Sequence, residues 1–464
     1  MSDARWFLRR REWTSAFVRD VVQPVWAIRD HPAYFRYRRE FERSQFFSRK
    51  RLRDLQVQRL RELLRSAADG SAFYRDRLKS AGVVAEDIRR PEDIQVLPIL
   101  TKNQIQDHGA EMVNTGMSAA RRVRNQTGGS TGSPLQFYVD VERLDSRMAS
   151  THRHDRWAGM RPGDWHAYLW GARMDQVLEP TLADDVKNHL LYRRISMNTS
   201  SVSEQDWSDF AAKVRTIRPR FMLAYAKAAV QFAAYVREHK LNDIRFEAMI
   251  TTAEVLLPED RATLESSFQG RVFNRYGCRE VSVIASECEA HAGMHVNAEA
   301  LLVEVVPDAD HPAPCGRILV TDLMNHSMPL IRYEIGDIGQ WASEERCACG
   351  RELPRLADVQ GRTTDFLVLP DGRRISGPAL TLIVADMSDV RQVQFVQRSQ
   401  DEVVLRVVPG NGYGPNTAEE LRRRLGLYIK GAATLRVETV DSIASEASGK
   451  YRFVLSEMGD TTHA

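Results

Sequence analysis

Three short apolar runs constrain this chain more than any other feature. Phe221-Met222-Leu223-Ala224-Tyr225, Ala248-Met249-Ile250-Thr251-Thr252-Ala253-Glu254 and Val272-Phe273-Asn274-Arg275-Tyr276-Gly277 read as buried strands, the last two ending in polar residues. Trp207 to His239 reads mostly as helix, broken at Arg218-Pro219-Arg220 just before the first run, with the helix Ala226 to Glu238 behind it. Strands that alternate with helices and carry polar residues at their C-terminal ends predict an α/β sheet with its site at those ends. Further on the pattern changes. Leu301 to Val306, Arg317 to Asp322 and Pro329 to Gly339 alternate as antiparallel strands do, and after Gly361-Arg362 a small α+β region is expected. The hairpin signal Pro370-Asp371-Gly372 and a helix near 417–427 support that region. Residues 160–200 read as strands and loops.

A glycine-rich stretch precedes these runs: Thr127-Gly128-Gly129-Ser130-Thr131-Gly132-Ser133-Pro134, followed by Leu135-Gln136-Phe137-Tyr138. Glycines permit the positive φ that turns backbone N–H groups inward, and hydroxyls add donors that fit phosphate oxygens. The pattern lacks the Gly-Lys-Ser/Thr that opens a helix in a Walker loop, and the residues after it read as strand, so the loop is expected to join two strands. Taken alone, an ordinary hairpin turn explains it as well. Val141 to Trp157 then reads as a helix carrying His152 and His154, which point to different faces and are poor partners for one metal. Thr101 is a candidate N-cap.

Lys+Arg 65 against Asp+Glu 62 leaves a formal charge of +3 over 464 residues, and no segment is basic without interleaved acids, which argues against nucleic acid as a partner. No apolar run reaches membrane-spanning length, the N-terminus lacks the apolar centre of a secretory signal, and five cysteines favour a reducing, cytoplasmic setting. Residues 1–70 are rich in Arg and aromatics. In Arg51 to Ala67, Leu52, Leu55, Val57, Leu60, Leu63 and Leu64 stand at helical spacing opposite arginines. This is either a basic surface for an anionic membrane or a solvated helix packed on the main domain; Asp54 and Glu62, which interrupt the basic face, favour packing.

Taken in order, the glycine loop, Thr252-Ala253-Glu254, Tyr276-Gly277-Cys278-Arg279-Glu280, Arg332-Tyr333-Glu334-Ile335-Gly336-Asp337, Gly361-Arg362 and Gly449-Lys450 resemble the adenylate-forming ligase superfamily, and most of all its phenylacetate–CoA ligase-like and CapK-like branch. The resemblance implies an Arg- and aromatic-rich segment over 1–70, a large ATP- and acid-binding domain over 71–361, and a small swivelling C-terminal domain over 362–464. It implies a carboxylate and ATP giving an acyl-adenylate, with transfer to CoA or, alternatively, to an amine. Thr127, Gly128, Gly129, Ser130, Thr131 and Gly132 would hold the phosphates, and Glu280 would bind Mg²⁺. Ala253, Glu254, Tyr276 and Gly277 would contact adenine and its phosphate, Asp337 the ribose, and Arg362 the nucleotide from the hinge. Lys450 would meet the carboxylate and α-phosphate, which with Glu280 and Thr131 makes the catalytic set. The pocket for the acid is expected among Tyr138, Trp157, Trp170, Gly171, Tyr225 and Ala226. A homodimer is expected only from the resemblance. Two positions depart from the family pattern: Ser133 stands where many members have lysine, and Thr364 stands at the first of two hinge acids. These departures motivate a third reading, a nucleotide-binding partner protein without catalysis.

Cys288-Glu289-Ala290-His291 and Cys347-Ala348-Cys349 supply three thiols and an imidazole, the ligands of a closed structural Zn²⁺ site, with His295 as the rival nitrogen. The alternative is four reduced residues without metal. Cys278 and Cys315 fall outside this spacing.

Overall fold

The computed structural model describes residues 13–127, 135–171, 182–199, 202–307, 313–360, 366–371, 373–376, 380, 383–384, 387, 389–410, 412–443 and 454–457. A hairpin of β1 (Arg122–Gln126) and β2 (Gln136–Asp140) stands apart from the main sheet. The sheet itself has eleven strands. Its parallel half is β3 (His166–Trp170), β4 (Arg194–Asn198), β5 (Phe221–Tyr225), β6 (Ala248–Thr252) and β7 (Arg271–Cys278). The antiparallel half is β8 (Ser282–Glu287), β9 (Met294–Val296), β10 (Leu301–Val306), β11 (Cys315–Asp322), β12 (Tyr333–Trp341) and β13 (Arg355–Gln360). Across the sheet the order is β4-β3-β5-β6-β7-β8-β9-β13-β12-β11-β10.

The parallel strands form as their sequences dictate. β6 is buried along its whole length, and helices Ala226–Glu238 and Pro258–Phe268 cover the sheet through Phe232, Val236, Leu264 and Phe268. A strand flanked by helices on such a sheet reads as an apolar run, which is what Ala248-Met249-Ile250 shows before the two threonines at its end. One expectation needs correction: between β3 and β4, Leu182–Lys187 and Asn188–Tyr192 are helical.

Helix Arg49–Gly70 starts at Ser48, whose hydroxyl accepts from the backbone N–H of Arg51. Leu52, Leu60, Leu63, Leu64 and Ala67 are buried in one core with Val281, Ile284 and Leu301. Its arginines reach neighbouring groups, Arg53 pairing with Glu92 and Arg65 with Glu86. Exposed pairs contribute at most about 1 kcal/mol each, whereas each buried leucine contributes roughly 2. The leucines therefore decide the helix's place, and it packs on the large core rather than offering a membrane surface.

Helix Val141–Trp157 has a different logic. Asp140 caps it, and the buried face carries charge: Arg143 meets Asp322 at 2.8 Å, Arg153 meets Glu299 at 2.6 Å, and Arg275 of β7 meets Asp155 at 2.6 Å. Buried charges persist only when paired, and removing one partner leaves an uncompensated charge that costs about 3–5 kcal/mol. The C-terminal region holds the β14 (Phe366–Val368) and β15 (Arg374–Ser376) hairpin. Beside it lie β16 (Val390–Ser399), β17 (Glu402–Pro409), β18 (Thr434–Thr439) and β19 (Val454–Ser456), in the order β18-β17-β16-β19. Helix Pro415–Ile429 contributes Leu421, Leu425 and Ile429 to the core of this region, which is separate from those above. The class is α/β, with the α+β arrangement at the C-terminal end.

Candidate nucleotide and acid site

The glycine loop does join two strands. Gln126 pairs with Gln136, and beyond them the Thr127 N–H donates to the Leu135 carbonyl at 2.9 Å. The Thr127 hydroxyl accepts from the Leu135 N–H at the same distance. These bonds close a neck at the base of the loop. Thr127, expected to touch phosphate, thus has its hydroxyl oxygen engaged in shaping the neck. Gly128, Gly129, Ser130, Thr131 and Gly132 lie outside the described residues, as do Arg362 and Lys450.

The neck is tied to the next motif. Arg279 donates to the Gln126 carbonyl at 3.2 Å, and Arg147, on helix Val141–Trp157, donates to the carbonyl of Glu280. Burial first and neighbouring Arg143 second bring the Arg147 pKa down to about 10, so the guanidinium stays charged at neutral pH. A Cβ on Gly277 would stand 2.5 Å from the Ser282 carbonyl oxygen, so only glycine fits where β7 folds back into β8. The Glu280 carboxylate, nearly buried, accepts from the Tyr333 hydroxyl at 2.9 Å. Two residues beyond Tyr276, Cys278 also faces Glu280; burial, then that carboxylate, pushes its thiol well above the usual range.

Tyr276 donates to Asp337 Oδ2 at 2.9 Å. Burial, with Asp337 beside it, holds the phenol well above its ordinary pKa, so it remains the donor. Tyr276 and Asp337 come from β7 and β12, which the sheet order separates by three strands, and they still meet at one point. At the end of β6, Ala253 takes φ +67° and turns the chain toward Glu254. Tyr225 pairs with Thr252, so the ends of β5, β6 and β7 lie side by side.

Trp170, Gly171, Tyr225 and Ala226 gather at the ends of β3 and β5. The Trp170 and Tyr225 rings are 4.7 Å apart, and a Cβ on Gly171 would approach both Tyr225 and Thr199 at 3.3 Å. Tyr138 and Trp157 are not in this group. Tyr138 packs on the large core. Trp157 is buried, donates to Gln45 at 3.0 Å, stacks on His154 at 4.3 Å and lies beneath the Arg351 guanidinium. Its position at the end of a helix whose buried face turns toward β8 and β9 explains the correction.

Trp157 also touches His295, with ring centroids 5.6 Å apart, and His295 belongs to the second constellation. Cys288, His295, Cys347 and Cys349 place one ligand atom each within 4.8 Å of one another. The imidazole here is His295, and the preferred candidate His291 is corrected: its Nδ1 faces Glu287 at 3.2 Å. Pairing of β13 with β9, Arg355 opposite His295, brings that strand beside the cysteine loop. Cys288 and Cys347 sulfurs are 3.7 Å apart, and a tetrahedral zinc with Zn–S bonds of about 2.3 Å has edges of about 3.8 Å. His295 Nδ1 sits 3.1 Å from the Leu353 carbonyl, which fixes the proton on Nδ1 and leaves Nε2 for the ligand position, 3.3 Å from the Cys349 sulfur. Burial brings its pKa down to about 4, so the imidazole is neutral. The donor set fits Zn²⁺.

The sequence did not single out Tyr333, Arg147 or Arg279 in these roles. Tyr333 precedes Asp337 by four residues on one strand, an even spacing that could have flagged it. For Arg147, which resembles any arginine on a polar helix, there was no local signal.

Residues 367–457 match the family model of the CapK C-terminal domain. A phenylacetate–coenzyme A ligase of Thermus thermophilus is 26% identical over 77% of this chain and 82% of its own. Protein CapK of Staphylococcus aureus is 21% identical over 87% and 89%. Among solved structures, 2-hydroxyisobutyryl-CoA ligase in complex with 2-HIB-AMP and CoA superposes with a TM-score of 0.61 at 20% identity, over 89% of this chain and 91% of that one. The fold is therefore that of the adenylate-forming acid ligases. Within that class the relatives it resembles are phenylacetate–CoA ligases and CapK. Among the described residues no helix is long and apolar enough to cross a membrane.

Proposed function

We propose that this protein activates an organic carboxylic acid with ATP and Mg²⁺ and passes the acyl group to CoA, in the manner of a phenylacetate–CoA ligase. In the first step a carboxylate oxygen attacks the α-phosphorus and pyrophosphate leaves. In the second the CoA sulfur attacks the acyl carbon, the thiol proton goes to solvent, and AMP leaves. The observation that carries this reading is the convergence at the strand ends of Tyr276 with Asp337 and of Tyr333 with Glu280 beside the neck of the glycine loop.

The row of strand ends supports a division of labour. Thr252, Ala253, Glu254, Tyr276 and Asp337 suit the nucleoside, since an acceptor-only carboxylate such as Asp337 fits a ribose diol. Glu280, held by Tyr333, suits Mg²⁺, which would neutralise the leaving phosphates. Tyr225 and Ala226 stand two strands from the Tyr276 end, and Trp170 and Gly171 three, where an aryl group would stack. Lys450, on the C-terminal domain beyond a hinge at Arg362, would supply positive charge to the reacting oxygens. Cys288, His295, Cys347 and Cys349 would hold Zn²⁺ as a closed structural site in a cytoplasmic protein.

An amide ligase uses the same adenylate with an amine as acceptor, and the CapK-type C-terminal domain supports it as the second reading. Acid-dependent ATP–pyrophosphate exchange over aryl, aliphatic and amino acids tests the first half-reaction. Exchange with an aryl acid, and thioester formation when CoA is added, is the expected result. Exchange with no acid although ATP binds would overturn adenylation, and transfer only to an amine would overturn the CoA assignment.

A further inference from the structure

The N-terminal helices carry an exposed apolar face. Residues 13 to 30 are helical, and Trp13, Phe17, Val21, Val25 and Ile28 recur along one side, Trp13 77%, Val25 66% and Ile28 65% exposed. The segment is seated on the body through its other side. Val18 and Ala27 are buried, and a Cβ on Gly163 would stand 2.9 Å from the Ser15 carbonyl oxygen. The helical residues between β3 and β4 lie alongside it, with Gln23 donating to the Leu191 carbonyl at 2.7 Å. They add Leu182 (86% exposed), Val186 and Leu190, again spaced by four. A face of this size, built from two adjoining elements, marks an interaction surface rather than scattered exposed residues.

The neighbouring surface is cationic. Helix Tyr34–Ser44 and the residues after it form an open groove of about 740 Å³ lined by Phe35, Arg36, Arg39, Glu40, Arg43, Phe47 and Arg51, in which Glu40 is paired with Arg59 and Arg36 with Glu142. Phe35 also lines the adjoining cavity whose other wall includes Gln23 and Pro24, so groove and apolar helix are continuous. Arg39 and Arg43 are exposed and have no acidic partner among the described residues, Arg51 lies over the Phe47 ring at 3.6 Å, and Phe46 is exposed beside them.

We infer that this surface seats the protein on an anionic lipid bilayer. An apolar helix face with Trp and Phe enters the headgroup boundary, and flanking arginines meet anionic headgroups. A second copy of the chain fits less well, because a two-fold interface would bring the same arginine groove of both copies to one boundary. Of helix Arg49–Gly70 only Arg51, near its start, reaches this surface; the apolar side of that helix is spent on the core.

The test is co-sedimentation of the full-length protein with phosphatidylcholine vesicles, with and without phosphatidylglycerol. Binding is expected only to the anionic vesicles and is expected to fall with salt. Phe17→Glu with Val25→Glu should abolish it, while Arg39→Glu or Arg43→Glu should each weaken it at least about fivefold, the value of one basic residue near such a surface. All these positions are exposed, so unchanged thermal unfolding and unchanged zinc content will show that the variants fold. No binding to anionic vesicles, or binding that survives Phe17→Glu with Val25→Glu, overturns the inference. A dimer in sedimentation velocity that this double variant splits, with vesicles left unbound, also overturns it and gives the face to a second copy.

Discussion

Two constellations flank strands β8 and β9, one of them reaching back to Tyr276 on β7, and they differ in how their polar groups are spent. In the cysteine–histidine cluster every donor points inward, the imidazole tautomer is fixed by Leu353, and Trp157 and Arg351 cover it. At Tyr276, Asp337, Tyr333 and Glu280 two phenols donate to two carboxylates, each an acceptor-only group with two oxygens. A site that only holds structure gains from saturation. One that must admit and release substrates has to keep acceptor capacity that the fold itself does not use.

The comparison can be broken by experiment. Lys450→Ala is expected to lower acid-dependent pyrophosphate exchange on the order of a hundred- to a thousandfold, with zinc content and thermal unfolding unchanged. A parallel fall in stability would show that this lysine belongs to structure. Cys347→Ser should do the reverse, removing zinc and destabilising the protein by about 3 kcal/mol or more, measured by atomic absorption and by the midpoint of unfolding. His295→Ala should behave alike and His291→Ala should retain the metal; loss of zinc from His291→Ala alone would restore the rejected ligand. Asp337→Asn should raise the KM for ATP about tenfold or more, since a hydrogen bond to a charged group contributes about 1.5–3 kcal/mol. The smallest effect is expected of Tyr333→Phe. It keeps Glu280 in place but removes one donor, so the Mg²⁺ concentration for half-maximal exchange should shift by up to about tenfold.

What the sequence made legible was local. The loop between two strands, the strand runs through Tyr225, Thr252 and Gly277, and the cap at Thr101 all follow from chemistry within a few residues. Order of motifs added the family. The misreadings share one cause. His291 is near Cys288 in sequence, but His295 is brought to the cysteines by the pairing of β9 with β13 about sixty residues away. Trp157 looked like a pocket wall because it follows the loop, yet the buried charges of its helix turn it toward Gln45 and His295. Arg143 and Arg153 belong among the solvated arginines by composition; only Asp322 and Glu299, both distant in the chain, explain why they are inside.

Helix Val141–Trp157 carries Arg147, which holds the carbonyl of Glu280, and, ten residues on, Trp157, which packs on His295. The two sites thus share an inheritance. A substitution that rotates or shifts this helix alters both at once, so lineages cannot tune adenylation and metal retention one residue at a time along it.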